Sequence, residues 1–296
     1  MTRSERLDNW EIPLHEISAL CVRHDPSGGP PELLVVGDER WAVAAMALAA
    51  AGAEPKPTTE VAPAIAAGGL PTDGKSEFEG VASDASGRVF LLQEGPARVL
   101  VLDRAMAVLQ HTITLDVAAD QPEIGASWTD EPNARGEGVL LLREGHMLIA
   151  KQRDPVRLIE FGPAGDAPLG YAPGRALADD EDFALADSDA SVVEVLATWS
   201  LDPAANVESI NDLAVDIDGS LHLVSSRSRC IGLLDADLTP GEDVVAASTV
   251  SLDAVLFKDK KDKAEGLVFT DALGWLVALD LQRAAPNLHE LALFPG

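Results

Sequence analysis

The chain has 296 residues, 49 of them acidic against 22 basic, for a formal net charge of −27. Nucleic acid and anionic lipid are bound through clustered Lys and Arg, so neither is an expected partner of so acidic a chain. No apolar run of about 18 residues predicts a membrane-spanning helix, and "MTRSERLDNWEIPLHE" has no apolar h-region, which predicts a cytoplasmic location, or export if a leader has been removed.

Internal repeats organise the rest. Ahead of the first, "RLDNWEIPL" (6–14) has strand character. "HEISALCVRHDPSGGPPELLVVGDE" (15–39) then shows a polar start, a short apolar run, a turn with Gly and a second apolar run. The same order returns in "FEGVASDASGRVFLLQE" (78–94), "GEGVLLLREGHMLIAKQ" (136–152), "INDLAVDIDGSLHLVSS" (210–226) and "AEGLVFTDALGWLVALD" (264–280). Asp and Gly in the turns tolerate tight or left-handed backbone, so each segment reads as a β-hairpin. A third run follows each hairpin: "WAVAAMAL", "RVLVLD", "VRLIEF", "CIGLLD" and "LHELALF". Three units add a fourth, "AVLQHTITL", "SVVEVLATWSL" and "VVAASTVSL". In the first unit "TTEVAPAI" is the candidate fourth strand. The helix formers of "WAVAAMALAAAGAE" keep an amphipathic helix open as an alternative there.

Four antiparallel strands per unit, repeated five times, predict an all-β fold, one five-bladed β-propeller domain over residues 1–296. The last repeat stops after its third strand, so the N-terminal segment is expected to supply the missing outer strand and close the ring, removing an open edge. The Pro-, Gly- and Asp-rich stretch at about 163–191 reads as an exposed loop insertion rather than a further blade. Its "DDED" run lacks the Gly and spaced acids of an EF-hand, and "KDKKDK" (258–263) reads as a solvated loop. Cys21 and Cys230 lie far apart in apolar runs, predicting two free thiols, with a disulfide as the alternative.

In a propeller the first strand of every blade lies along the central channel, and the residue that starts it sits at one mouth. Those residues are Glu16, Glu79, Glu137, Asn211 and Glu265. The glycines after three of them permit close backbone approach at a crowded axis. Four carboxylates converging on one mouth must take up protons, pair with Arg or Lys, or bind a cation. Carboxylates with an Asn amide oxygen are hard donors suited to Ca²⁺, and without recurring His or Cys a Zn²⁺ site is disfavoured. The alternative is that each Glu caps its strand by accepting backbone N–H bonds from the next blade. His15, beside Glu16, reads as an ordinary polar neighbour.

These blocks, in this order over about residues 12–282, resemble the bacterial five-bladed propellers of the SdiA-regulated family, distant relatives of the NHL-repeat propellers. The resemblance implies a calcium-binding propeller, with metal-dependent lactonases among its relatives. It carries the acidic positions onto Glu16, Glu79, Glu137 and Glu265, with Asn211 or Asp212 in the fourth block. Asp38, Glu39 and Glu94 match acids that follow the second strands. Lys151-Gln152 and Ser225-Ser226 depart from that pattern, and Lys151 is expected to neutralise part of the cluster. Members are commonly exported.

No GxSxG, HExxH, P-loop or GxGxxG motif signals other chemistry. Two functions are therefore expected. One is a monomeric, calcium-stabilised binding propeller with a small-molecule or protein ligand over the channel mouth. The other is a metal-dependent hydrolase of lactones or esters, with a channel Glu as base.

Overall fold

Runs such as "LLVV", "VFLL" and "MLIA" are apolar at successive positions, which suits strands buried on both faces. In the computed structural model, which describes residues 3–14, 16–49, 52–253, 256–257, 259–281 and 285–294, they are the second strands of four-stranded antiparallel blades. His15 lies outside the described residues. The first blade comprises Ile17–Arg23, Glu32–Gly37, Ala42–Ala49 and Gly52–Pro55. The second comprises Phe78–Ser83, Val89–Gln93, Arg98–Leu102 and Leu109–Asp116. Gly136–Leu141, Met147–Lys151, Arg157–Pro163 and Ala190–Leu201 make the third. Asp212–Val215, Leu221–Ser225, Cys230–Leu234 and Ala247–Ser251 make the fourth. The last holds Lys263–Thr270, Gly274–Asp280, Leu288–Phe294 and, from the other end of the chain, Arg3–Trp10.

The core lies between the blades. Each adjacent pair encloses its own apolar cluster, as where Leu34 and Val36 of the first blade meet Phe78 and Leu91 of the second. Five such clusters run around the ring, the last joining Leu20 and Leu33 to Val268 and Leu276. The fold is an all-β propeller.

Ring closure follows the sequence reading. Arg3–Trp10 runs antiparallel to Leu288–Phe294, with Arg3 opposite Phe294 and Trp10 opposite Leu288. Buried Asn287 fastens the joint: its side-chain oxygen accepts from Ile12 N at 2.7 Å, and its amide nitrogen donates to the carbonyls of Ile12 and Leu14 at 3.2 Å each. Ile12 and Leu14 then run into the core.

Two local readings change, and one alternative falls. The fourth strand of the first blade is Gly52–Pro55, not "TTEVAPAI". In that stretch Thr59–Glu60 pairs with the start of the third strand, at Val43 and Ala42, and Ala62–Ala67 is a short helix with Pro63 in its first turn, where a missing N–H costs nothing. "WAVAAMAL" is the third strand its place in the repeat predicts, and the alternative helix falls because pairing on both edges overrides helix propensity. The insertion forms no further blade, yet it is not a free loop. Tyr171 and Phe183 are buried, the Tyr171 hydroxyl donates to Gly219 O at 2.8 Å, and the Phe183 ring meets Phe90 edge-on. Aromatic anchors outweigh the polar composition around them.

The outer strands of the second and third blades also pair with each other, in parallel, from Thr112 opposite Ala190 to Asp116 opposite Glu194. Cys21 and Cys230 are free thiols. Among the described residues no helix is long and apolar enough to cross a membrane.

Candidate functional site

Antiparallel pairing sets the start of each inner strand beside the end of the second strand, so both feed one mouth. Eight carboxylates, those of Glu16, Asp38, Glu77, Glu79, Glu94, Glu137, Glu265 and Asp280, line a cavity of about 440 Å³ there, with Ser18, Lys75, Asn133, Gln152 and Lys263. Four inner strands have register shifts where they enter it, at Ile17/Ala19, Phe78/Gly80, Gly136/Val139 and Ala264/Gly266. Such a bulge takes a residue out of the ladder and re-aims its side chain. The residues inside the shifts are Ser18, Glu79, Glu137 with Gly138, and Glu265. Ser18, not Glu16, is therefore the first blade's counterpart of Glu79. Glu16 matches Glu77 instead, and both hold left-handed backbone at φ 54°.

One residue further along, the channel narrows to a waist. A Cβ on Gly80 would lie 2.9 Å from the Glu137 carbonyl oxygen, one on Gly138 2.8 Å from Leu213 N, and one on Gly266 2.8 Å from the Leu20 side chain. Neighbouring inner strands thus touch backbone to backbone, as the Glu-Gly pairs led one to expect. Ala19 occupies the same level in the first blade, and Asp212 in the fourth. The Asp212 carboxylate accepts from Leu267 N and Leu213 N at 2.9 Å each and from Leu20 N at 3.3 Å, tying three blades together. Burial pushes this carboxyl well above its usual range, against the pull of those N–H groups. Asp212 is a strut in the waist and does not line the mouth.

Three other expected residues also take different roles. The Asn211 oxygen accepts from Ser226 N at 2.9 Å and the Ser209 hydroxyl at 3.0 Å, while its amide nitrogen donates to Glu265. Asn211 therefore serves Glu265 as a donor, and its oxygen is occupied. Buried Lys151 donates to the carbonyls of Ala134 at 3.0 Å and Arg153 at 2.6 Å, fixing the loops beside the third blade rather than neutralising the cluster. Glu39 stays on the outer rim, 3.2 Å from Lys75 Nζ.

Two lysines of the lining, Lys75 and Lys263, form the direct ion pairs of the mouth, while Arg135 and Arg153 lie near Glu94. Lys75 Nζ stands 3.4 Å from Asp38 and 3.7 Å from Glu16, and Lys263 Nζ stands 3.3 Å from Asp280 and 3.5 Å from Glu265. Both are about half exposed, and Lys263 ends the stretch that reads as a solvated loop. Asp280 was findable by analogy, since it ends the second strand of its hairpin as Glu94 nearly does.

The centre remains short of positive charge. Burial, reinforced by the neighbouring carboxylates, holds Glu79 and Glu137 well above the usual range, with a hydrogen bond from Ser18 opposing the shift at Glu79. Burial likewise pushes Glu94 and Glu265 up to about 7. Glu94 accepts Arg135 N at 3.1 Å, a strand-capping contact of the kind the alternative reading expected. Three buried oxygens of the lining, Asp38 Oδ1, Gln152 Oε1 and Asp280 Oδ1, meet no hydrogen-bond donor. These are hard donors of the type Ca²⁺ takes. As placed, no three Asp, Glu, His or Cys side chains among the described residues stand close enough to hold one ion.

Fold and site together define a β-propeller with one acidic, acceptor-rich channel mouth. No protein-family model matches the chain, and no curated protein does. Among solved structures it is similar to the glutaminyl cyclase of Myxococcus xanthus, with TM-score 0.56 and 13% identity over 99% of this chain and 97% of that one. A streptogramin B lyase aligns at TM-score 0.46 and 11% identity over 99% and 98% of the two chains. The PQQ-bound aldose sugar dehydrogenase of Streptomyces coelicolor aligns at 0.45 and 14% over the same shares. At 13% identity the likeness to the glutaminyl cyclase speaks for the fold alone, and none of the three is described as SdiA-regulated.

Proposed function

We propose that the acidic mouth binds a divalent cation, Ca²⁺ by its donor chemistry, and that the propeller is a binding protein holding a small-molecule or protein ligand over it. The observation that carries this reading is the set of buried acceptor oxygens without donors, on Asp38, Gln152 and Asp280, in a wall of carboxyls with raised proton affinity. Acceptors alone do not satisfy one another, and an incoming cation satisfies many at once. Glu79, Glu137 and Glu265 would hold it, with Glu16 at the rim, after drawing inward from their present positions. The likeness of the repeats to the SdiA-regulated propellers belongs to the same reading.

Protons must leave as the cation enters, so affinity should climb with pH. Calorimetric titration of chelator-stripped protein with CaCl₂ at about pH 6 and pH 8 tests this. Saturable binding, tighter at the higher pH, is the expected result, and no heat at millimolar calcium at pH 8 would refute it. A hydrolase is the second reading, favoured by Glu94 and Glu265 at about 7, where a general base works near neutral pH. Calcium-dependent turnover of a lactone or aryl ester, lost in Glu265→Gln, would move the assignment from binding to catalysis.

A further inference from the structure

The inner strands have a second end. Past the waist they open into another cavity, of about 770 Å³, on the side opposite the carboxylates. Its wall is the continuation of the same strands, Leu20, Val81, Val139, Leu213 and Val268 among it, and is mostly apolar. Where the first mouth collects the residues that begin the inner strands, this one collects the residues that end them.

Two features make it more than leftover channel. The first is that the insertion of the third blade builds one side of it through Ala176, Leu177 and Asp179. That side is fixed in place: Leu177 N donates to Leu141 O at 2.9 Å, and Phe183 is clamped by Asp84 and Arg88. A wall held this way loses little freedom when a ligand arrives. From it Asp179 reaches the first blade, 3.3 Å from His24 Nε2. The second is the charge. Asp179, Asp216 and Asp271 are the acids of the lining, which contains no Lys or Arg among the described residues. Asp216 accepts from Ser220 N at 2.8 Å, Asp218 N at 3.0 Å and His222 Nε2 at 2.9 Å. Burial lowers the proton affinity of His222, so this contact adds little positive charge beside Asp216.

We infer that this second cavity is a binding site for a small amphipathic cation, an apolar body carrying an amine or quaternary ammonium group. The volume falls within the range of small-molecule sites, and such sites pair apolar walls with a few placed polar groups. The apolar body fills the funnel between the inner strands, and the cationic group stays at the carboxylate rim. Anions are turned away by the rim and by the charge of −27 on the whole chain. The site is independent of the acidic mouth, with the waist and its Asp212 strut between them.

Fluorescence titration of the full chain tests this with three dyes: rhodamine 6G (cationic), Nile red (neutral) and 1-anilinonaphthalene-8-sulfonate (anionic). Rhodamine 6G should bind with one-to-one saturation, at least about tenfold tighter than either other dye, and more weakly as salt is added. Ile217 lines the cavity and is 74% exposed, so Ile217→Arg should fold normally, as circular dichroism would verify, and weaken the cation by about tenfold or more. Asp179→Asn should act in the same direction. A Glu79→Gln, Glu137→Gln double variant should leave dye affinity unchanged. Loss of binding in that double variant would place the dye at the other mouth and overturn the inference. Equal affinity for the three dyes, no saturable binding, or indifference to Ile217→Arg would overturn it as well.

Discussion

Raising the pH of the metal-stripped protein should destabilise it, and by an amount the mouth sets. Glu94 and Glu265 are pushed from 4.5 up to about 7 by burial. A carboxyl whose folded-state pKa is raised favours folding in its protonated form. Its contribution is present below about pH 4.5 and is lost as pH rises through about 7. At about 1.4 kcal/mol per pKa unit, each of the two withdraws roughly 3 kcal/mol once ionised. Glu79 and Glu137 are shifted in the same direction and add to the loss. The sum is a large part of the 5–15 kcal/mol that holds a typical protein folded. At roughly 2–4 °C per kcal/mol, the melting temperature in chelator should fall by about 10 °C or more between about pH 5 and pH 8.5. Differential scanning calorimetry measures this directly. Glu265→Gln, which keeps shape and loses the titration, should flatten the fall by roughly the share of one group. Calcium at a hundredfold excess over its dissociation constant should restore about 2.7 kcal/mol at the alkaline end. A melting temperature that is flat or rising over this interval in chelator would mean that the carboxylates are ionised and paired, and the reasoning would be wrong.

Asp212→Ala strands three buried N–H groups at about 1–3 kcal/mol each and should cost roughly 3–6 kcal/mol by urea denaturation. Asp212→Asn keeps one acceptor and should cost clearly less; equal costs would deny the strut its role. Gly138→Ala drives a methyl group into the Asp212–Leu213 backbone and should cost about 1–3 kcal/mol, read from the same denaturation curves. Asn287→Ala removes the fastening between the chain ends, so limited proteolysis should cut near residues 3–14 well before the wild type is touched. His146 and Glu160 are buried against each other at 2.7 Å, which raises the imidazole above its usual 6.5 despite burial. The stabilisation from this raised pKa should be present below about pH 6.5 and fade as pH climbs through the folded value; Glu160→Gln should cost about 3 kcal/mol and weaken that dependence, leaving only the share of Asp166 at 3.5 Å from Nε2, as NMR titration of His146 would show.

The blades were legible because each hairpin carries a Gly-bearing turn, four of the five with Asp, between two runs buried on both faces, a pattern the ring itself imposes. The closing strand was legible because one unit lacked its fourth member. "GAEP" escaped notice because a four-residue outer strand has no alternation to see. Glu16 was aligned with Glu79 on chemistry alone, whereas the bulge that sets the register falls at Ser18, and a bulge leaves no mark in composition. The carboxylates were found through their Glu-Gly pairs. Lys75 and Lys263 were not, since a lysine in a polar stretch looks the same whether it faces water or folds back over an acid. The second cavity had no signal at all: its residues are ordinary core types, and only the placing of the insertion turns them into a wall.

The closing joint also decides how the ring would yield to force. Arg3 lies opposite Phe294, so the two ends of the described chain leave the last blade side by side. Tension applied between them pulls across the hydrogen bonds of that strand pair and loads them one after another, as a zip is opened, rather than all together in shear. Asn287 and the buried Ile12 and Leu14 sit at the far end of the zip, beyond Trp10. Force would therefore peel the closing strand with little resistance until it met that knot. The blades beyond, two of them fused through Thr112–Asp116 and Ala190–Glu194, would feel the load only after it gave way.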